Sequence, residues 1–251
     1  AKVTGARVVK PNQSAPDMRG VLKILKKLPP FFAVPTTAGT GSECTIAAVI
    51  SNPDTHEKNS IMDPVLRPKY AVLDPELTVG LPPHITSTTG MDTLTHAVEA
   101  FIGKSNTKQT EDDALIATKL VFENIEDAYN DGKNIKAREN MLVASYHAGL
   151  AFTRAYVGYV HAIAHNLGGM YNIPHGLANA VILPYVLDYF GESAYSRLAI
   201  LADVAGVSGQ AQGEREKAKN FIAAIRDLNT KMGIPDKFEQ IKDEDIQLIA
   251  E

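Results

Sequence analysis

Five side chains in this sequence have the types and the spacing to surround a metal ion. His161 and His165 stand four residues apart in His161-Ala162-Ile163-Ala164-His165-Asn166-Leu167-Gly168-Gly169, so on a helix both project from one face. His175 follows Pro174 and precedes Gly176, which predicts a turn or a helix start. Asp92 and His96 repeat the i,i+4 spacing within Gly90-Met91-Asp92-Thr93-Leu94-Thr95-His96-Ala97, on a face otherwise apolar through Leu94 and Val98. An unpartnered buried polar group costs about 1–3 kcal/mol. A carboxylate and an imidazole on such a face therefore need either a mutual hydrogen bond or a shared cation. Taken alone, the Asp92/His96 pair fits the hydrogen bond; with His161, His165 and His175 added, the metal is the better account. Oxygen and nitrogen ligands suit Fe(II), Zn, Ni or Mn.

A second stretch offers ligand chemistry of another kind. The apolar run Phe31 to Pro35 feeds Thr36-Thr37-Ala38-Gly39-Thr40-Gly41-Ser42-Glu43. Small hydroxyl residues and glycines let a ligand approach the backbone and offer donors to phosphate. The third glycine of a dinucleotide fingerprint is absent, and the stretch reads equally as a turn whose Thr and Ser cap the next element.

The elements that must position these residues divide at Leu81-Pro82-Pro83. Before it the pattern is short strands and turns. A weak apolar pattern covers residues 1–10, Val21 to Leu28 reads as a short helix or amphipathic turn, and Phe31 to Pro35 as a buried strand. Cys44 to Ile50 is β-rich, Ser51 to Lys58 is a hairpin-like loop, and Tyr70 to Asp74 is another strand. After the boundary nearly everything has helical period. Thr88 or Thr89 would cap a helix over Met91 to Phe101. Helices follow at 108–128, Lys136 to Phe152, 159–170, Leu177 to Phe190, Tyr195 to Ala205 and Glu214 to Met232. Gly233 and Pro235 stop the last of these, and Asp243 to Glu251 reads as the start of another.

Composition narrows the function classes. The 251 residues are 45% hydrophobic, enough for a sizeable core, and the net charge is -4. That charge is spread out and gives no footprint for nucleic acid or an anionic membrane. No stretch is apolar for long enough to span a bilayer. The one cysteine, Cys44, reads as a small buried residue; a chain without a disulfide framework fits the reducing cytoplasm. His56, His84 and His147 lack any comparable setting and read as surface or packing residues.

The chain resembles the iron-containing (group III, metal-dependent) alcohol dehydrogenases. The resemblance is carried by Phe32 through Glu43, by Leu73-Asp74-Pro75-Glu76-Leu77-Thr78, by Gly90 through Glu99, and by Gly158 through Gly176. It implies an α/β fold: the remnant of a Rossmann-like N-terminal domain (1–80), then an all-helical metal-binding domain (81–251), in a dehydroquinate synthase-like architecture. It implies that Asp92, His96, His161 and His175 bind one divalent metal, Fe(II) first and Zn second. His165 matches a histidine behind the ligands that takes part in proton relay. Thr36, Thr37, Thr40, Lys58 and the Leu77–Val79 segment match positions lining the site for NAD or NADP, and Phe152 matches a residue of the substrate pocket. The implied reaction moves hydride between a primary or secondary alcohol, or its aldehyde or ketone, and the nicotinamide, in a homo-oligomer such as a dimer.

Three features depart from the family pattern, the mildest being Cys44 in place of the apolar residue, commonly valine, expected after Glu43. No Gly-Gly-Gly-Ser loop occurs in these residues, and Ala1-Lys2 matches the helix that follows it. The family's last helices are also missing after Glu251, so the expectation is a chain truncated at both ends. Two other readings compete. One keeps the fold but makes the protein a dehydroquinate synthase-like lyase, which binds zinc and uses NAD transiently. The other is a metal-binding fragment without catalysis. The Asp92/His96 motif and the Pro174-His175-Gly176 context fit the dehydrogenases better.

Overall fold

The computed structural model describes residues 1–51 and 58–247; the side chains of Ser51, Lys58 and Asp243 lie outside the description. The expectations for His56, for the Lys58 side chain, and for Leu248 and Ile249 therefore fall outside the described residues.

The first third is an α/β segment. Helix α1 (Lys2–Val9) is followed by the short strands β1 (Gly20–Val21), β2 (Phe32–Ala33), β3 (Ala47–Ser51), β4 (Lys58–Met62) and β5 (Tyr70–Ala71). They form two sheets, one of order β1-β4-β3 and one of order β2-β5. The β1/β4 and β2/β5 pairs are parallel and β3/β4 is antiparallel, with Ala47 opposite Met62 and Ser51 opposite Lys58. Ala6, Met18, Ile24, Ile61 and Leu66 form its core.

Several local expectations fail here for long-range reasons. Of the two readings of Val21 to Leu28, a helix or a turn, the helix does not form: the Leu22 N–H donates to Met62 O at 2.9 Å, and the Asp63 carboxylate accepts hydrogen bonds from the Ile24 and Leu25 N–H groups at 3.0 Å. That contact draws Ile24 into the core and competes with any helical ladder. Phe31 to Pro35 gives a strand of only two residues. Its Phe32 is 58% exposed and stacks on Tyr70 at a centroid distance of 4.6 Å. Burial alternates along it with the period of the pleat, as in a sheet covered on one face. The strand expected over Tyr70 to Asp74 is likewise reduced to Tyr70–Ala71. Cys44 sits in a turn rather than a strand, its N–H donating to Gly41 O at 3.0 Å. The side chain is buried, and burial pushes its thiol well above the usual range, so it is an inert packing group.

The remainder is helical: α2 (Pro83–Ile102), α3 (Lys108–Asn130), α4 (Ile135–Ala155), α5 (Tyr159–Tyr171), α6 (His175–Phe190), α7 (Tyr195–Val204) and α8 (Glu214–Lys231). Helix α2 is the hub, buried on all sides from Gly90 to Phe101 and packed on α3, α4 and α6. It starts earlier than its threonines suggest, since Pro83 at the first helical position sets the φ needed there. The Thr88 and Thr89 hydroxyls instead donate back to the His84 and Ile85 carbonyls at 2.7 Å. Helix α3 is capped by Thr107, whose side chain and that of Thr110 bond each other's backbone N–H. Helix α6 contains Pro184, which has no N–H for the carbonyl of Ala180. Asn229 of α8 donates to that carbonyl at 2.7 Å and so ties α8 to α6. Gly233 ends α8 with φ +68, as a residue following a helix often does. Among the described residues, no helix is long and apolar enough to cross a membrane.

Candidate metal centre

Three helices bring the sequence-identified ligands together. Asp92 and His96 lie one turn apart on α2, His161 in the first turn of α5, and His175 as the first residue of α6. Asp92, His96 and His161 are all buried and place one ligand atom each within 4.8 Å of the others. Asp92 Oδ1 lies 3.6 Å from His175 Nε2, 3.8 Å from His161 Nε2 and 4.0 Å from His96 Nε2. None of these separations is a hydrogen bond. Four ligands at a metal–ligand bond of roughly 2.1 Å in tetrahedral array would lie about 3.4 Å apart. The donor set and its spacing therefore fit a divalent ion. His175 is at the rim, its side chain 32% exposed, whereas those of Asp92 and His161 are 4% exposed.

Electrostatics favours the same use. Burial, reinforced by neighbouring His161, holds the His96 imidazole well below its ordinary pKa. Burial also lowers His175 to about 4 against the opposing pull of Asp92. Both rings are thus neutral near pH 7, the form that binds a cation. His165 belongs to the same cluster at one remove, its ring stacked on that of His175 at 5.2 Å and edge-on to His161 at 6.2 Å. Phe152 of α4 stacks on His96 at 4.1 Å, so it covers the α2 side of the cluster.

Two residues that sequence reasoning gave no role belong here. Glu99 is seven residues after Asp92 on α2, two turns along the same face. Its Oε2 lies 2.6 Å from His161 Nδ1, and its Oε1 accepts from the Val160 N–H at 2.7 Å. One carboxylate thus satisfies an orphan N–H at the start of α5, where no side-chain cap exists, and orients the imidazole that follows. Burial raises the Glu99 carboxyl pKa, but the hydrogen bond and charge of His161 and the N–H groups of Gly158 and Val160 outweigh it and leave the pKa lowered. The proton on the shared hydrogen bond therefore stays on His161 Nδ1, and the Nε2 lone pair faces the cluster. Glu99→Gln keeps the shape but loses the charge; metal affinity measured by chelator competition should fall about 10- to 100-fold with the helical circular dichroism unchanged. The other residue is Asn179, four residues after His175 on α6, whose side chain enters the cluster. The i,i+4 spacing that singled out the histidines applies to it too.

The threonine and glycine loop lies against the same helix. Thr93 Oγ1, between the two α2 ligands, donates to the Ala38 carbonyl at 3.1 Å. Gly39 allows this approach, since a Cβ on it would lie 2.7 Å from Thr89 Cβ, and Gly41 allows the loop to meet α4, where a Cβ would lie 2.7 Å from Gly149 Cα. Thr36, Thr37 and Thr40 line a cleft of about 1110 Å³, together with Lys2, Ser42 and Glu43. Leu77 and Val79 do not line that cleft; Leu77 lies in a 3₁₀ turn (Pro75–Thr78) that Val79 follows. His84 is exposed, and His147 pairs with Asp113 at 2.7 Å, away from the cluster's contacts.

Residues 86–251 match the model of the Fe-containing alcohol dehydrogenase family, C-terminal, and residues 1–75 match that of iron-containing alcohol dehydrogenase. The chain is 41% identical over 239 residues to alcohol dehydrogenase 4 of Saccharomyces cerevisiae, covering 94% of this chain and 61% of that protein. It is 38% identical over 236 residues to the NAD-dependent methanol dehydrogenase of Bacillus methanolicus, covering 93% of this chain and 62% of that protein. A crystal structure of 1,3-propanediol oxidoreductase superposes with a TM-score of 0.94 at 39% identity, over 99% of this chain and 65% of that one. The chain thus spans less than two thirds of the length of the proteins it matches.

Proposed function

The chain belongs to the iron-containing alcohol dehydrogenase family, and on that premise we propose that it serves a metal-dependent oxidoreductase that moves hydride between a small primary or secondary alcohol and NAD or NADP. The observation that carries this reading is the convergence of Asp92 Oδ1 with three imidazole Nε2 atoms at 3.6 to 4.0 Å. Support for the cofactor comes from the cleft at Thr36, Thr37 and Thr40, which the loop holds against α2, and from the NAD dependence of the methanol-oxidising relative. A small alcohol or its aldehyde as substrate is supported by the relatives that act on alcohols and diols. The same reading makes the enzyme a cytoplasmic homo-oligomer, in keeping with a single, buried, unpaired cysteine.

Asp92, His96, His161 and His175 would hold the metal, Fe(II) first and Zn(II) second. When bound, the metal and the nicotinamide supply Lewis acidity at the substrate oxygen and the hydride exchange. Asp92 contributes the one formal negative charge of the ligand set. Glu99 fixes the His161 tautomer through Nδ1. Phe152, stacked on His96, presents an apolar wall that keeps water from the reacting carbon. His165 takes the hydroxyl proton at an imidazole nitrogen during oxidation and returns it during reduction.

The test is turnover by this chain, purified without oxygen and supplied with Fe(II) or Zn(II), NAD+ or NADP+, and a panel of short alcohols and diols. Metal-dependent appearance of the reduced cofactor at 340 nm is the expected result. Bound metal without turnover would make this chain a metal-binding unit rather than a self-sufficient enzyme. Release of phosphate from a phosphorylated sugar acid would move the assignment to the lyases.

A further inference from the structure

Four of the five threonines in α2 turn their hydroxyls back on their own helix. Thr86, Thr88, Thr89 and Thr95 donate to the Pro82, His84, Ile85 and Met91 carbonyls, each four residues earlier, at 2.7 to 3.4 Å. That carbonyl is the usual local partner of a hydroxyl inside a helix. Thr93 is the exception. It is fully buried, and its Oγ1 leaves the helix to reach the Ala38 carbonyl at 3.1 Å and the Gly39 carbonyl at 3.4 Å, 55 and 54 residues away in the chain.

Both ends of this contact adjoin residues of the proposed reaction. On the helix side, Thr93 follows Asp92 directly and lies one turn before His96. On the loop side, Ala38 follows Thr37 and Gly39 precedes Thr40, both of which line the cleft. The loop has a second anchor on α4, where the buried Ser145 accepts from the Gly41 N–H at 3.2 Å. Ser145 stands two turns before Phe152, the residue that stacks on His96. One loop is thus fastened both to the helix of two ligands and to the helix of the apolar wall.

Hydride exchange is steep in distance: the reacting atoms must come within about 3–3.5 Å, and an error of about 1 Å costs about 10²-fold. Substrate held from α2 and nicotinamide held from the loop keep their separation only through whatever joins the two. We propose that Thr93 is a positioning residue that sets this separation through its hydrogen bond to the Ala38 carbonyl. The proposal rests on the dehydrogenase reading above. It makes Thr93 matter to the spacing of the two sites, not to the occupancy of either.

Thr93→Val keeps the shape and removes the donor. The Ser145 anchor remains, so the loop should shift about Gly41 rather than detach. The probe is Mn(II), whose paramagnetism speeds relaxation of the nicotinamide ring protons of bound NAD+ with the inverse sixth power of their distance from the metal. This relaxation should fall at least about twofold in Thr93→Val, while Mn(II) affinity by chelator competition stays within about twofold of wild type. Thr93→Ser keeps the hydroxyl and should relax the protons as wild type does. Turnover should follow, with kcat down about 10²-fold in Thr93→Val and KM for the alcohol nearly unchanged. If wild type relaxes no NAD+ proton beyond free Mn(II), the dehydrogenase reading fails and the proposal falls with it. If wild type does so and Thr93→Val matches it, that reading stands and Thr93 only packs the helix. Loss of Mn(II) from Thr93→Val would make Thr93 a support of the ligands instead. Nicotinamide displaced as far in Thr93→Ser as in Thr93→Val would show that the hydroxyl does not set the distance. Either result overturns the positioning role.

Discussion

The His161→Ala protein should lose its metal and its turnover together. A structural zinc site of four ligands binds with an apparent 10–16 kcal/mol, so one ligand accounts for about 3–4 kcal/mol, or roughly 10²- to 10³-fold in affinity. His161 is the most buried imidazole of the cage, with its Nε2 3.8 Å from Asp92 Oδ1. The substitution has a second effect that must be separated from the first. Glu99 Oε2, bonded to His161 Nδ1 at 2.6 Å, would become an unpaired charge in a site where its side chain is 2% exposed. Breaking a buried pair in this way costs about 3–5 kcal/mol. The single variant should therefore melt earlier as well as lose metal. The double variant His161→Ala, Glu99→Gln removes the orphaned charge and should recover part of the stability without recovering any metal. Metal content is read by elemental analysis after dialysis, and stability by urea titration. If the single variant keeps one metal per chain, the ligand assignment is wrong. If the double variant regains metal, His161 acts through Glu99 and not as a ligand.

What was legible in the sequence was what depends on neighbours close along the chain. The i,i+4 pairs Asp92/His96 and His161/His165 marked two helix faces, and both helices form. The Thr107 cap on α3 and the Gly233 stop after α8 lie at the ends of the apolar periods that predicted those helices. What escaped was set by contacts distant in sequence. Val21 to Leu28 could be a short helix or an amphipathic turn, and contacts distant in sequence, to Met62 and to the Asp63 carboxylate, decide against the helix. Glu99 looked like one more acid in a motif; its role appears when the start of α5, some sixty residues later, arrives with Val160 and His161. Asn179 carries no charge and titrates nothing, so no reading based on metal-ligand types would select it. The apolar run at Phe32 failed as a sign of burial because a strand is buried by what covers it. Here Phe32 and Tyr70 cover each other instead.

A residue with no side chain should prove nearly as important to the site as its ligands. Gly176, the second residue of α6, rests directly on the backbone of α2: a Cβ there would lie 2.4 Å from the Thr88 carbonyl oxygen and 2.9 Å from its carbon. Both neighbouring atoms are backbone in the second turn of α2, so they cannot turn aside. Ordinary contact begins at 3.4 Å, which means that α6 would have to retreat by about 1 Å. His175 is the adjacent residue, and its Nε2 sits 3.6 Å from Asp92 Oδ1, a spacing that a shared metal can bridge only within a few tenths of an ångström. Gly176→Ala should therefore cost about 1–3 kcal/mol of stability by overpacking and about 10²-fold in kcat/KM by misplacing a ligand. Metal affinity should fall with it, whereas a purely structural defect would lower the melting temperature and leave the affinity of the folded fraction intact. Gly80 has no atom within 4 Å of an added Cβ and an ordinary backbone conformation, so Gly80→Ala is the matched control and should change neither. Wild-type metal affinity in Gly176→Ala would mean that α6 adjusts along its axis instead of moving off α2, and that His175 is held by Asn179 and its own helix more than by this contact.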